Sequence, residues 1–228
     1  MFHCIRGTAG SGKTTAVKSI KRLYPKYSVI MKDKLGQQII NLCHGHQTLA
    51  DCVIVGQYVE HTDKITTGGD SIYYTEQLKL AAKYVDSHGY DVIWEGIIHQ
   101  SYPIFEELSR LSPVCVYYMD ETEDTILKRR IKRSKSRGYD HQMTTATGIH
   151  FLDKLKSENL RIQELENVEL IHTHSQLVKD LFVDRLQSRP TRPFEDEDLW
   201  DFKCRYDHIK SIRSKRREIV SDLFTYTD

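Results

Sequence analysis

The chain reads Gly7-Thr8-Ala9-Gly10-Ser11-Gly12-Lys13-Thr14 immediately after a short apolar run, Phe2 to Arg6. This is a glycine, four residues and then Gly-Lys-Thr, which is the P-loop pattern. A predicted strand before it and a predicted helix through Tyr24 after it supply the context that the pattern needs. The glycines let the loop turn so that backbone N–H groups converge on phosphate oxygens, and the N-terminus of the new helix adds partial positive charge. The sequence therefore predicts a binding site for the phosphates of a nucleotide.

The loop pattern also predicts what its members do. Lys13 supplies a point charge to the β- and γ-phosphates, and the hydroxyl of Thr14 is placed to ligate Mg²⁺. We therefore expect ATP and Mg²⁺ as cofactors. The residues of the loop that are predicted to bind them are Gly7, Gly10, Ser11, Gly12, Lys13, Thr14 and Thr15.

Beyond the loop, β-rich runs alternate with helical stretches. Further strands are predicted at 27–31, 52–55, 90–94, 114–119 and 168–171, and helices at 72–87 with Ser71 as cap and Gly89 as stop, 122 to about 135, 151–165 and 175–186. Strands separated by helices of this size predict βαβ units and a parallel sheet. We expect an α/β three-layer sandwich built around the P-loop, with five parallel strands and helices on both faces.

The last forty residues differ from the rest in composition. Two prolines, Pro190 and Pro193, interrupt the pattern, and a long basic helix is predicted over 200–220. Its apolar positions recur every three or four residues, which makes one amphipathic face: Leu199, Phe202, Tyr206, Ile209 and Ile212. We expect a kinase domain over 1–188, with a lid at about 122–145, and a helical extension over 189–228 packed on it. A nucleic-acid contact surface is the alternative for the basic side of this helix.

Composition excludes several classes of protein. The 228 residues carry 33 Lys and Arg against 32 Asp and Glu, a formal charge of +1, which excludes a uniformly basic nucleic-acid binder but permits local basic patches. No apolar run approaches the roughly 18 residues of a membrane span. The five cysteines include no Cys-x-x-Cys, so we expect a reducing, cytoplasmic environment and no contact with a membrane.

The basic segment 128–137 favours a kinase over other nucleotide-binding proteins. A GTPase needs a guanine-reading Asn-Lys-x-Asp, which does not occur, whereas 128–137 holds seven cationic residues and no acid. This basic helix, ending at Gly138, resembles the lid of small P-loop kinases, whose arginines neutralise charge on the transferring phosphoryl group. The resemblance implies that Arg130 and Arg133 are catalytic and that Arg129 and Arg137 bind the nucleotide. The alternative is a solvated basic face.

Two acids follow predicted strands, where acceptor sites of such kinases lie. Asp33 follows the run 27–31, which resembles a strand of the polynucleotide kinases whose Asp accepts the proton of the acceptor hydroxyl. We therefore expect Asp33 to be a general base, with a plain turn carboxylate as the alternative. Glu95 ends Ile93-Trp94-Glu95-Gly96, which looks like the strand end at which nucleotide kinases organise Mg²⁺ or hold the acceptor. We expect Glu95 to be catalytic and to share the metal with Thr14.

The segment from Gly56 to Ser71 contains the most distinctive pattern in the chain. Val55-Gly56-Gln57-Tyr58 is followed by Thr67-Gly68-Gly69-Asp70-Ser71. With the P-loop, Glu95 and the lid, this arrangement resembles a group of bacteriophage P-loop kinases that includes the 5-hydroxymethyldeoxyuridine DNA kinases. The resemblance extends over about residues 1 to 140, and this chain departs from it in having Gly-Gly-Asp-Ser contiguous. It implies that Asp33, Gly68, Gly69 and Asp70 bind the acceptor.

The predicted activity is therefore transfer of the γ-phosphoryl group of ATP to a hydroxyl. The resemblance implies 5-hydroxymethyluracil in phage DNA as the acceptor, so DNA is the expected partner and the cytoplasm of a host the expected location. Two alternatives stay open: a thymidylate-like kinase of deoxynucleoside monophosphates, and a nucleotide-gated nucleic-acid binding protein that transfers no phosphate.

Overall fold

The computed structural model describes residues 1–46, 49–58, 68, 71–72, 74–96, 99–137, 141–186 and 189–225, and within these it describes only the backbone of 133–137, 141–150, 210 and 213–225. Its strands are β1 Phe2–Arg6, β2 Lys26–Lys32, β3 Gln38–His44, β4 Cys52–Val55, β5 Asp91–Glu95, β6 Val114–Met119 and β7 Val168–Thr173. Its helices are α1 Lys13–Lys21, α2 Thr75–Ser87, α3 Tyr102–Ser109, α4 Glu123–Arg137, α5 His141–Gln163, α6 Val178–Val183 and α7 Asp196–Thr225.

The described strands form one mixed sheet in the order β2-β3-β4-β5-β1-β6-β7. The five neighbours β4, β5, β1, β6 and β7 are parallel, and β3 is antiparallel to both β2 and β4. The α/β class is thus confirmed, but the prediction of a five-stranded parallel sheet is wrong, because a hairpin adds two strands at one edge.

The strand that the prediction missed is β3. Asn41 interrupts its apolar run, yet this residue is buried, and its amide donates hydrogen bonds to the carbonyl oxygens of Ile54 at 3.1 Å and Gly56 at 2.8 Å. A polar residue whose amide group donates to the adjacent segment of the sheet looks, in the sequence alone, like a break in the pattern.

Helices cover both faces of the sheet. Successive side chains of a strand point to opposite faces, so Cys4 of β1 packs with residues of α2, α3, α5 and α7, whereas Ile5 packs with residues of α1 and α6. Two hydrophobic cores result, one on each side of the sheet. Phe202 and Tyr206 of α7 lie in the first of them.

The helix boundaries correct one predicted cap and confirm one predicted stop. α2 begins at Thr75 with Tyr74 as its N-cap residue, so the prediction of a cap at Ser71 is wrong. The Ser71 hydroxyl instead donates to the carbonyl oxygen of Gly68 at 2.6 Å. Gly89 follows the end of α2 with a φ of 86°, the left-handed conformation expected of a glycine stop. Among the described residues, no helix combines the length and the apolar character that crossing a bilayer requires.

Candidate functional site

The candidate site lies where the carboxyl ends of β1 and β5 meet. Ile5 of β1 is paired with Glu95 of β5, so the loops that follow the two strands are neighbours. The chain leaves β1 towards α1 on one face and leaves β5 towards α3 on the other. This divergence opens a crevice at the switch point, which is where open α/β sheets bind ligands.

The glycines of the predicted phosphate loop adopt conformations that other residues avoid. Gly10 and Gly12 have φ values of 93° and 94°, and Gly12 is the N-cap residue of α1. The hydroxyl of Ser11 donates to the carbonyl oxygen of Thr8 at 2.9 Å, which closes the turn. Thr15 is exposed in the first turn of α1. The loop thus leads into a helix N-terminus, as the pattern predicts.

The Lys13 side chain lies folded against the loop. Its Nζ donates to the carbonyl oxygens of Gly7 at 2.9 Å and Thr8 at 2.8 Å, and the residue is 6% exposed. These two contacts hold the ammonium group over the phosphate loop, where its positive charge can attract an anion.

Glu95 reaches the phosphate loop from the neighbouring strand. The hydroxyl of Thr14 donates to Oε1 of Glu95 at 2.9 Å, and Glu95 is 3% exposed. One hydroxyl and one carboxylate oxygen therefore lie together beside Lys13. Oxygen atoms are the ligands that Mg²⁺ prefers, and this ion commonly uses one or two protein ligands together with the phosphates of its nucleotide. Of the residues that the structure describes, no three His, Cys, Asp or Glu side chains form a metal-binding group.

Gly68 lies against the same carboxylate. It forms an isolated bridge with Gln57, its φ is 79°, and a Cβ atom in its place would overlap Oε1 of Glu95. The N–H of Gln57 in turn donates to the Ser71 hydroxyl at 2.9 Å. The predicted acceptor residue Gly68 is thus in the site, while Gly69 and Asp70 lie outside the described residues.

Helix α4 packs against the phosphate loop. A Cβ atom at Gly10 would lie 3.4 Å from Cγ of Arg130 and 3.6 Å from Cβ of Arg129. Arg129 also donates to the carbonyl oxygen of Gly10 at 3.2 Å and pairs with Glu121 at 3.3 Å. The predicted lid helix therefore begins beside the loop. Arg133 and Arg137 belong to the same helix, but their side chains lie outside the description.

Asp33 follows β2, which is an edge strand of the sheet. Its Oδ1 accepts the N–H groups of Leu35 at 2.8 Å and Gln37 at 2.9 Å, which fixes the turn between β2 and β3. Four strand spacings separate β2 from β1, roughly 19 Å at about 4.8 Å each. The structure therefore gives Asp33 the turn role and does not bring it together with Lys13 and Glu95.

Two residues of the crevice were not predicted. Gln100 binds the backbone of Gly7 through both ends of its amide. Ser175 lies in the loop after β7, and a Cβ atom added at Gly12 would come within 3.0 Å of the Cβ atom of Ser175. Both follow strands whose carboxyl ends border the crevice. Their place after a predicted strand is the only signal in the sequence that points to these two residues.

No model of a known protein family matches the chain, and no curated protein matches it.

Proposed function

We propose that the protein is a kinase that transfers the γ-phosphoryl group of ATP to a hydroxyl group. The observation that carries the proposal is the 2.9 Å hydrogen bond from the hydroxyl of Thr14, which follows Lys13 in the phosphate loop, to the carboxylate of Glu95. A phosphate loop alone serves many nucleotide-binding proteins. Phosphoryl transfer uses such a loop together with a carboxylate from the neighbouring parallel strand and a helix rich in arginine.

The donor side of the site follows from the loop. Its backbone N–H groups and Lys13 would hold the β- and γ-phosphates, and the Thr14 hydroxyl and Glu95 carboxylate would hold Mg²⁺. When bound, this ion neutralises charge on the β- and γ-phosphates. The loop geometry supports this assignment, because the Lys13 ammonium group is already placed over the loop, where it donates to the carbonyl oxygens of Gly7 and Thr8.

Arg129 and Arg130 would act from the lid. Both lie beside Gly10, and Arg129 pairs with Glu121, whose carboxylate an incoming phosphate would replace. Arg133 and Arg137 follow on the same helix and are proposed to close over the phosphates with them. Positive charge that is fixed near the developing charge lowers the barrier without rearrangement during the reaction.

The acceptor side is proposed to lie next to Glu95. Gly68 touches its carboxylate, so a ligand held at Gly68 would approach the phosphate loop from this side. We assign preparation of the acceptor to Glu95, since the strand that precedes Asp33 lies three strand spacings from β5 and four from β1. The proposed acceptor is the hydroxymethyl group of 5-hydroxymethyluracil in DNA.

A transfer assay tests both the reaction and its acceptor. The protein is incubated with γ-labelled ATP and Mg²⁺ and offered, in parallel, hydroxymethyluracil-containing DNA, ordinary DNA, 5′-hydroxyl oligonucleotides and deoxynucleoside monophosphates. We expect label in the first DNA alone, and a loss of about 10²-fold in Lys13→Ala, which removes a preorganised charge. Label in a mononucleotide would instead identify a nucleotide kinase. Nucleotide-dependent DNA binding with no label in any acceptor would overturn the kinase proposal.

A further inference from the structure

Gln100 holds the first glycine of the phosphate loop by both of its backbone groups. The N–H of Gly7 donates to Oε1 of Gln100 at 2.8 Å, and Nε2 of Gln100 donates to the carbonyl oxygen of Gly7 at 3.1 Å. Gln100 is 1% exposed. A side-chain amide that binds both the N–H group and the carbonyl group of one residue fixes the position and the orientation of that residue together.

The carbonyl oxygen of Gly7 has two donors in this structure. The second is Nζ of Lys13, at 2.9 Å. If Lys13 moves to a bound phosphate, this contact is lost, and a buried carbonyl group without a donor is costly. Nε2 of Gln100 would then be the donor that remains, so the loop keeps its shape while Lys13 changes partner.

The segment that carries Gln100 is itself fixed on the acceptor side. The carbonyl oxygen of His99 accepts Nε1–H of Trp94 at 2.9 Å, and Nε2 of His99 lies 2.7 Å from the carbonyl oxygen of Ile72. Since a carbonyl oxygen only accepts, Nε2 carries the proton of this ring. The residue before Gln100 is therefore anchored both to β5, through Trp94, and to Ile72.

We infer that Gln100 is a positioning residue for nucleotide binding, which holds the Gly7 peptide in place when Lys13 leaves it for a phosphate. The inference rests on the proposed function, since it presumes that the loop binds phosphates. It goes beyond that function in assigning part of the nucleotide affinity to a side chain of the β5–α3 connection that binds the backbone of the loop.

The test compares Gln100→Met with a matched variant, Gln77→Met. Gln77 is also 1% exposed, and its Nε2 donates to a backbone carbonyl group, that of Tyr206 at 3.0 Å, away from the phosphate loop. Both variants lose one buried amide and keep its volume. The affinity of each folded protein for MgATP and for MgADP is measured by calorimetry, and its folding by circular dichroism and urea unfolding.

We expect Gln100→Met to bind both nucleotides about tenfold more weakly than wild type, because one buried donor is lost when Lys13 moves. Gln77→Met is expected to lose stability but to bind within about twofold of wild type. Equal nucleotide affinities in wild type and Gln100→Met would overturn the inference. A wild-type protein that binds neither nucleotide would instead overturn the proposed function.

A second variant, Gln100→Glu, separates positioning from packing and carries the test if Gln100→Met does not fold. Its carboxylate accepts the Gly7 N–H but has no proton for the Gly7 carbonyl oxygen, and it adds negative charge near the phosphates. At pH 8 we expect Gln100→Glu to bind nucleotide more weakly than Gln100→Met does. As the pH falls, the carboxyl group gains a proton that it can donate, so the nucleotide affinity of Gln100→Glu should partly recover relative to that of wild type. If the ratio of the nucleotide affinities of Gln100→Glu and wild type stays constant with pH, the positioning role of Gln100 is contradicted.

Discussion

The hydroxyl of Thr14 donates a 2.9 Å hydrogen bond to Oε1 of Glu95, which joins the first turn of α1 to the end of β5. Two residues that are 81 positions apart thus meet because β1 and β5 are parallel neighbours. The charge of this carboxylate, and not only its hydrogen bond, is what a bound Mg²⁺ would use. A substitution at Glu95 can remove the negative charge and keep the hydrogen bond.

Glu95→Gln is expected to weaken the response of transfer to Mg²⁺. The amide oxygen still accepts from Thr14, so the contact is kept while the negative charge is lost, and we expect the half-saturating concentration of free Mg²⁺ to rise by about tenfold. Initial rates at saturating ATP over a range of free Mg²⁺ measure this. Glu106→Gln, at a carboxylate that pairs with Arg110 on α3, is the control. Overlapping Mg²⁺ curves for Glu95→Gln and wild type would remove Glu95 from the metal site.

Gly68→Ala is expected to disturb the site, and Gly36→Ala provides a matched comparison. The two glycines have φ values of 79° and 78°, so alanine meets the same backbone strain, about 1–2 kcal/mol, at both. A Cβ atom at position 68 overlaps the Glu95 carboxylate, whereas a Cβ atom at position 36 has no neighbour within 4 Å among the described residues. We expect transfer to fall by about 10-fold to 10²-fold in Gly68→Ala, because displacement of a reacting group is costly. It should change little in Gly36→Ala.

The measurement is the turnover number of both variants together with their urea unfolding. Equal losses of activity in the two variants would mean that strain alone, and not the contact with Glu95, limits transfer. A larger loss of activity in Gly68→Ala than in Gly36→Ala, with both proteins still folded, is the outcome that the structure predicts.

The sequence predicted the parts of the fold and site that local pattern determines. The phosphate loop and the strands at 52–55 and 114–119 were all visible in short stretches of chain, and the structure has those strands at the predicted bounds. β3 was missed because the polar residue Asn41 interrupts its apolar run, although the Asn41 amide group donates to the adjacent strand. The contacts of Gly68 with Glu95 and of Gln100 with Gly7 join residues 27 and 93 positions apart, and no periodicity reports such a pairing.

Asp33→Asn is expected to leave transfer within about threefold of wild type. The asparagine Oδ1 can still accept the N–H groups of Leu35 and Gln37, so the turn is kept, and the carboxylate lies four strands from the phosphate loop. Asp33→Ala removes the acceptor of two amide groups and is expected to lower the free energy of unfolding by about 1–3 kcal/mol. Turnover numbers and urea unfolding measure the two effects. A drop of about 10²-fold in turnover for a stable Asp33→Asn would restore Asp33 as the general base.

The stability of the protein should fall as the pH drops below about 6.5, in part because of His3. Burial lowers the pKa of His3, which is 0% exposed and lies 3.1 Å from the hydroxyl of Tyr117. The unfolded chain therefore binds a proton on this ring at a pH at which the folded protein does not, so protonation favours unfolding. Although burial would raise the pKa of the neighbouring Asp91, hydrogen bonding from His3 and nearby positive charge lower it to about 2. Asp91 thus stays charged throughout this range.

The comparison is between wild type and His3→Gln, whose side chain does not titrate. Below pH 6.5 the free energy of unfolding of wild type should decrease relative to that of the variant, by at most about 1.4 kcal/mol per pH unit for one proton. Urea unfolding at pH 7.5, 6.5 and 5.5 measures the difference. If the difference in free energy of unfolding between wild type and His3→Gln does not change with pH, then His3 takes up as many protons in the folded protein as in the unfolded chain.

The basic part of α7 distinguishes a DNA acceptor from a mononucleotide acceptor. Phe202 and Tyr206 bury one side of the helix in the core, and the sequence places Arg213, Arg216 and Arg217 further along the same helix. If the acceptor is DNA, cations that contact its backbone release condensed counterions, so binding weakens with salt by roughly 0.9 in log–log slope for each duplex phosphate contacted. Changing the three arginines together to Gln should flatten this slope and raise the Michaelis constant for DNA. Hydrolysis of ATP without acceptor should not change.

A second triple variant controls for the loss of three charges. Arg22, Lys26 and Arg110 are exposed and lie outside α7, so changing them to Gln lowers the net charge equally. The Michaelis constant for DNA is measured between about 50 and 200 mM salt in wild type and both variants. We expect the slope to flatten in the α7 variant alone, because counterion release depends on which cations contact phosphate and not on net charge. Three superimposable salt curves would leave the basic side of α7 in solvent and favour a free nucleotide, whose single phosphate needs no contact along this helix.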